Sequence, residues 1–321
     1  MPSHTPRVSI GLPVHNGELY LAQAVRALLK QTFTDFELIL SNNASSDGTA
    51  KICRDFAAED DRIRYHEFET NVGASGNFNY VFEVARGEYF KWAAHDDLCA
   101  PELLDRCVEG LDRDPQVVLC HSRGTAIDTK GMPISRFANE QSFDADTPHE
   151  RFEQMINSWG HGCVCIFGLM RTDVLGKTPL LAPYVGSDRT LLAELSLRGT
   201  LQILPVYFAS FREHPGRSMR KYADEYERLA WFDPTLAGQA SYPTIRRVLE
   251  YSATIDRVPI SDDEKQQCRE ALDRWCRGGK HAEQPVEDLL RQECLAVQEA
   301  QGTNEPEAAF AESWLASCQQ S

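Results

Sequence analysis

Apolar residues along this chain keep two rhythms. Short runs at Val8-Ser9-Ile10-Gly11-Leu12, Phe36-Glu37-Leu38-Ile39-Leu40, Ile63 to Phe68, Tyr89 to Ala93 and Val117-Val118-Leu119-Cys120 have the length and branching of strands. Between them apolar positions recur every three or four residues, as in Leu21, Val25, Leu28 and Leu29, and again in Leu103, Leu104, Cys107 and Leu111. That spacing lines one face of a helix. Further helices are expected at about Thr49 to Ala58 and Asn77 to Ala85, and Pro13 is expected to stop the first strand. Alternation of this kind predicts an α/β fold: a doubly wound, mainly parallel sheet flanked by helices, with right-handed crossovers.

From about Asp128 the rhythm breaks. Gly131, Pro133 and a polar stretch to Thr147 suggest a long loop, followed by a helix from Glu150 to Asn157 and a strand-sized apolar segment from Cys163 to Met170. The Gly186-Ser187-Asp188 turn opens an amphipathic helix through Leu191, Leu192, Leu195 and Leu197, which Gly199 closes; a strand follows from Leu201 to Phe208. After Tyr222 only helical patterns remain: Ile245 to Ile255, Asp262 to Trp275, Pro285 to Gln298 and Pro306 to Cys318. The expected division is an α/β domain over residues 1–222 and a helical C-terminal region over 223–321.

Charge and composition narrow the function. A formal net charge of −15 leaves no basic surplus for a nucleic-acid backbone, although a cation can still neutralise a phosphate-bearing small molecule locally. No secretory signal precedes the ten cysteines, and no apolar run reaches membrane-spanning length. Reduced, semi-buried thiols in a cytoplasmic protein are therefore expected, with contact at the inner face of a membrane permitted but not demanded. The helical tail permits a homodimer, a docked partner or a cover over an acceptor site.

Chemistry gathers at strand ends. The apolar strand Phe90-Lys91-Trp92-Ala93 runs straight into His95-Asp96-Asp97. Open α/β sheets present ligand-binding loops at the C-terminal ends of their strands. Two adjacent carboxylates there suit a hard divalent cation shared with nucleotide phosphates; the alternative is a cap for the next helix, near Pro101. The first strand ends in Pro13-Val14-His15-Asn16-Gly17-Glu18 and the second in Ser41-Asn42-Asn43-Ala44-Ser45-Ser46-Asp47-Gly48-Thr49.

These motifs, in this order, resemble those of a family-2 glycosyltransferase of the GT-A fold over roughly Arg7 to Arg220. Pro13, Asn16 and Glu18 match the family's opening; Ser45, Asp47, Gly48 and Thr49 match its second loop; Asn71-Val72-Gly73 matches its Asn-x-Gly element; Asp96-Asp97 matches its metal-binding acids. The resemblance implies an inverting, metal-dependent transfer of a sugar from a nucleotide-diphosphate donor to an acceptor hydroxyl, in polysaccharide or glycoconjugate biosynthesis. It implies that Pro13, Val14, His15, Asn16, Glu18, Asn42, Asn71, Gly73, Asn77, Asp96 and Arg217 bind nucleotide, and that Asp97 and His214 hold Mn²⁺ or Mg²⁺. UDP or dTDP is the expected carrier. Asn42, however, stands where the family generally has Asp, and an amide offers a donor as well as an acceptor to the base. Asp47 is expected to close its loop and cap a helix, and His95 is either a metal or phosphate contact or a turn residue.

An inverting transferase needs a base opposite the leaving group. Asp188 is expected in that role, with Glu194 in reserve and an N-cap as the bland alternative for Asp188. Trp159-Gly160-His161-Gly162 is expected near the acceptor pocket, or as packing. Sugar-nucleotide synthesis and dinucleotide oxidoreduction fit poorly, because no cationic Gly-rich loop and no Gly-x-Gly-x-x-Gly follows the first strand. The rival from another class is a non-catalytic binder of sugar nucleotides partnering another transferase.

Overall fold

The computed structural model describes residues 5–138, 140–158, 161–222, 224–281, 284–300 and 305–318. The first half follows the expected alternation: β1 (Val8–Val14), α1 (Leu21–Leu29), β2 (Phe36–Asn42), α2 (Thr49–Glu59), β3 (Ile63–Glu67), α3 (Gly73–Glu83), β4 (Tyr89–Trp92), β5 (Leu98–Cys99), α4 (Leu103–Arg113) and β6 (Val117–Ile127). There follow β7 (Pro133–Arg136), α5 (Pro148–Ile156), a 3₁₀ turn (His161–Phe167), β8 (Leu169–Arg171), α6 (Thr172–Leu175), α7 (Ser187–Arg198), β9 (Thr200–Arg212), α8 (Ser218–Lys221) and α9 (Glu225–Phe232). The tail consists of α10 (Pro243–Arg257), α11 (Asp262–Gly278), α12 (Val286–Glu299) and α13 (Glu305–Cys318).

Among the described residues nine strands form one sheet in the order β3-β2-β1-β4-β8-β6-β9-β5, with β7 paired to β6. The long ladders, β1 with β2 and β4, β2 with β3, and β6 with β9, are parallel; β8 enters antiparallel between β4 and β6. Pro13 lies inside β1 rather than ending it. Gly11 is the last residue of β1 registered with β4 and Val14 accepts from β2, so the missing N–H of Pro13 falls where the β4 side is already open. The expected loop after Asp128 begins with a turn and the short strand β7, the turn held by Asp128 Oδ1 accepting from Lys130 and Met132 N–H at 2.8 Å each. The Cys163–Met170 segment is not one strand but a 3₁₀ turn followed by β8.

Both sheet faces are covered, which is why β1 and β2 read as nearly continuous apolar runs. Leu38 and Leu40 face the core with α1, α2 and α4, while Ile39, Phe90 and Trp92 face the core with α3, α5 and α7. The second core continues into the tail: Tyr251 of α10 meets Phe152 of α5 edge-on at 5.8 Å and Trp275 of α11 at 5.7 Å. The helices beyond Tyr222 add to that core instead of building one of their own. As a result α7, read as amphipathic, is buried around nearly its whole circumference between the sheet and the tail.

Candidate active site

The first two loops zip together at the strand ends. Asn16, in the left-handed region that Asn tolerates (φ 55°), accepts from Ser46 N–H at 2.8 Å, and its own N–H meets Ser45 Oγ at 2.8 Å. His15 Nδ1 lies 2.7 Å from Asn43 O. Glu18 accepts from Gly48 N–H at 2.7 Å, at the start of α2, and Asp47 accepts from Thr49 and Glu18 N–H. Burial works against the Asp47 charge, but these N–H bonds and the Thr49 hydroxyl hold its carboxyl below the usual range.

Asn42 is fully buried, its Oδ1 accepting from Ser45 N–H at 3.1 Å and its Nδ2 donating to the Tyr65 hydroxyl at 3.3 Å, which in turn donates to Glu67. Asn43 binds Asn71 Oδ1, Gly73 O and Val72 N–H, fastening the Asn71–Gly73 turn to the end of β2. Gly73 (φ +78°) must be glycine: a Cβ would stand 2.3 Å from the carbonyl oxygen of Phe232, at the end of α9. Asn77, expected at the nucleotide, lies inside instead. Its amide accepts from Ser41 Oγ at 2.6 Å and donates to Ser41 O at 3.2 Å, bracing α3 against the strands.

The acidic pair is gripped by a residue whose role sequence reasoning missed. Arg212 ends β9 fully buried; its N–H donates to Asp97 Oδ1 at 2.9 Å and its Nε to Asp96 O at 2.8 Å. Its remaining donors reach Asp128 O, Thr129 O and Gln23 Oε1, and its guanidinium lies 4.6 Å over the Tyr20 ring. The planar fork thus ties the start of α1 and the 128–129 turn to the acidic loop. Tyr20 meets His214 edge-on on its other contact, at 4.8 Å, and His214 Nε2 lies 2.8 Å from Asp96 Oδ2.

The two carboxylates have different electrostatics. Burial opposes ionisation of Asp96, yet the His214 hydrogen bond and the His95 and His214 charges hold its carboxyl low. Asp97 is pushed up to about 7 by burial and by the Asp96 charge; the Arg212 N–H and the charges of Arg217 and Lys91 offset this only in part. Burial also lowers the His95 imidazole, whose ring packs on Gly17, where a Cβ would come within 2.7 Å of it. Among the described residues no group of three His, Cys, Asp or Glu side chains converges as a metal cage. His214 faces Asp96 instead of completing such a set. Two hard carboxylates, one lacking a full counter-charge, fit a Mg²⁺- or Mn²⁺-type ion whose remaining ligands are phosphate and water. Arg217 is ion-paired with Glu213, which Arg220 also meets at 2.8 Å.

Asp188 sits in the first turn of α7 after Gly186 (φ +90°), its Oδ1 accepting from Arg189 N–H at 2.9 Å. Its charge reaches Cys165, whose thiol is pushed up to about 12 by burial first and by Asp188 second. Phe167 and Gly168, just beyond, border the same cavity as Asp97. The short segment 165–168 thus neighbours both acids. Trp159 and Gly160 lie outside the described residues, as do the side chains of His161 and Gly162.

Glu194, the reserve base, is buried between Arg198 and Arg257, at 2.6 Å from each. Both of its oxygens are committed, so it cannot take a substrate proton and serves to join α7 to α10. Replacing it with Gln strands two arginines and is expected to cost roughly 3 kcal/mol in urea unfolding, while the folded fraction keeps its turnover. A second stability effect comes from His121 on β6, which burial lowers from 6.5 to about 4. The unfolded chain binds the extra proton between those values, so stability is expected to fall as pH drops through that window. Urea midpoints at pH 7 and pH 5 should differ less for His121→Gln than for the parent.

Residues 9–178, just over half of the chain, match the sequence model of glycosyl transferase family 2. An uncharacterized glycosyltransferase of Rickettsia typhi is 29% identical over 165 residues, 51% of this chain and 51% of that protein. Chondroitin synthase of Escherichia coli is 28% identical over 134 residues, 42% of this chain and 19% of that enzyme. The chain thus spans about half the length of the first of these relatives and 19% of the second. The crystal structure of residues 1–349 of S. aureus TarS in complex with UDP has the same fold, with TM-score 0.62 at 18% identity over 91% of this chain and 81% of that one.

Proposed function

Since this chain belongs to glycosyl transferase family 2, we propose that it moves a sugar, with inversion, from a nucleotide-diphosphate donor to an acceptor hydroxyl in polysaccharide or glycoconjugate assembly. The observation that carries the reading is the Asp96–Asp97 pair at the C-terminal end of β4, clamped by Arg212 and His214 with Asp97 short of positive charge. The neighbour TarS holds UDP, and chondroitin synthase is named for making a polysaccharide; both agree with this choice of donor and pathway class. We place the boundary between the catalytic domain and the helical region at Tyr222.

In this reading Asp96, aligned by His214, receives the ribose hydroxyls, and Asp97 is the protein's ligand to Mn²⁺ or Mg²⁺. The cation, when bound, supplies positive charge to the departing diphosphate. Pro13, Val14, His15 and Asn16 border the base, and Arg217 swings from Glu213 to the phosphates, a bidentate partner for a guanidinium. Contact between the base and buried Asn42 requires the 44–46 turn to open. Asp188 takes the acceptor's O–H proton as that oxygen bonds to the anomeric carbon. The bond from that carbon to the diphosphate oxygen breaks, and its electron pair leaves with the nucleotide.

A thermal-shift panel of UDP, dTDP and GDP, each with and without Mn²⁺, tests the donor class. A ligand confined to the folded state stabilises by RT ln(1 + [L]/Kd). UDP or dTDP should raise Tm markedly more with Mn²⁺ than without. A Mn²⁺-independent response, or none to any nucleotide, would refute the reading. Slow hydrolysis of the matching sugar nucleotide separates an enzyme from a mere binder.

A further inference from the structure

Behind the acidic pair lies a cavity of about 50 Å³ bordered by Lys91, Asp97, Cys99, Cys107, His121 and Ser122. It is unusual in what it holds. Lys91 is a buried ammonium on β4, donating to Trp92 O at 3.2 Å and to Phe167 O, which leaves one N–H of three without an acceptor among the described residues. His121 is also buried; its Nδ1 lies 3.1 Å from Ser122 O, and its Nε2 has no partner among the described residues. With burial keeping this imidazole neutral, the Nδ1–H donates to Ser122 and Nε2 presents a bare lone pair.

A leftover donor on Lys91, a leftover acceptor on His121 and a carboxylate on Asp97 thus border one space large enough for water. A water molecule has the matching valence: it accepts from Lys91 and donates one hydrogen to His121 Nε2 and the other to Asp97. Buried polar groups without partners are rare, and internal water satisfying about three of them is the usual solution. We infer that this cavity is hydrated, and that Lys91, acting through its water, is a positioning residue that aims the Asp97 carboxylate into the cleft. The inference rests on the reading of Asp97 as the cation ligand. Outer-shell hydrogen bonds of this kind orient metal ligands, and their loss weakens metal binding about 10- to 100-fold.

Two measurements on the full chain test it. A high-resolution crystal structure should show ordered water within hydrogen-bonding distance of Lys91 Nζ and His121 Nε2; a dry cavity overturns the inference. Calorimetric titration of Mn²⁺ into UDP-saturated protein should show Lys91→Met binding about tenfold more weakly, with Tm unchanged or higher because a buried charge has been removed. The direction is diagnostic, since losing a nearby positive charge would by itself tighten cation binding. Parent protein that binds Mn²⁺, with K91M binding it equally or more tightly, overturns the inference alone. Parent protein that binds no Mn²⁺ overturns the reading of the acidic pair and this inference together.

Discussion

Asp97→Asn is expected to remove Mn²⁺-dependent donor binding and to lower turnover by about a thousandfold or more, several kcal/mol of lost charge stabilisation on the leaving group. Asn is the informative replacement. Its Oδ1 still accepts from the Arg212 N–H that Asp97 binds at 2.9 Å, so the clamp on β9 survives. Ala would leave that buried donor unsatisfied, at a cost of about 1–3 kcal/mol, and would confuse misfolding with lost chemistry. The expected signature is specific: UDP affinity without metal is kept, and the increment added by Mn²⁺ disappears. Calorimetric titration in the two conditions reads this directly, and a variant that retained the Mn²⁺ increment would place the cation elsewhere.

Asp188→Asn is expected to behave oppositely, sparing Mn²⁺ and UDP binding while lowering turnover about 10²- to 10⁴-fold, the usual contribution of a positioned general base. Asn again keeps the local geometry, because Oδ1 can continue to accept from Arg189 N–H. A residue that merely opened α7 would instead show its loss in stability, with turnover per folded molecule intact. Near-normal hydrolysis of the sugar nucleotide by D188N, with parent-like stability, would remove Asp188 from the reaction. Glu194 is no substitute, given its two arginine partners.

The two expected results would divide the site into a proposed donor side and a proposed acceptor side, and the fold gives that division a basis. The donor side is built on the ends of parallel strands β1, β2 and β4, where local sequence is decisive. Apolar runs, a proline, small polar turn residues and paired carboxylates all follow one another within single segments. That is why the order of elements through β4 and the place of Asp96 and Asp97 were legible from the chain alone.

What was not legible depends on contacts between distant segments. Arg212 ends an apolar strand two residues before His214, with no role of its own assigned by the sequence, yet its partners are Gln23, Asp96, Asp97, Asp128 and Thr129, 83 to 189 residues away along the chain. That placement was the one local hint. Asn77 reads as a polar residue facing a ligand, and only the approach of α3 to Ser41 turns it inward. The extension of β6 through His121-Ser122-Arg123-Gly124 carries no strand pattern of its own; its pairing with β9 imposes it. Likewise α7 has the spacing of an amphipathic helix, but α5 and the tail helices cover its polar side as well.

The tail also changes what an insertion or truncation there should do. Tyr251 packs on Phe152 of α5 and on Trp275 of α11, and Arg257 neutralises the Glu194 carboxylate inside α7, the helix whose first turn holds Asp188. The C-terminal helices thus steady α5 and α7 from behind.

The most direct test of the central claim is an anomalous-scattering map from crystals grown with Mn²⁺ and UDP. A manganese peak bonded to an Asp97 oxygen and to the diphosphate, with Asp96 on the ribose, is the predicted result. UDP bound with no manganese between its phosphates and Asp97 would contradict it.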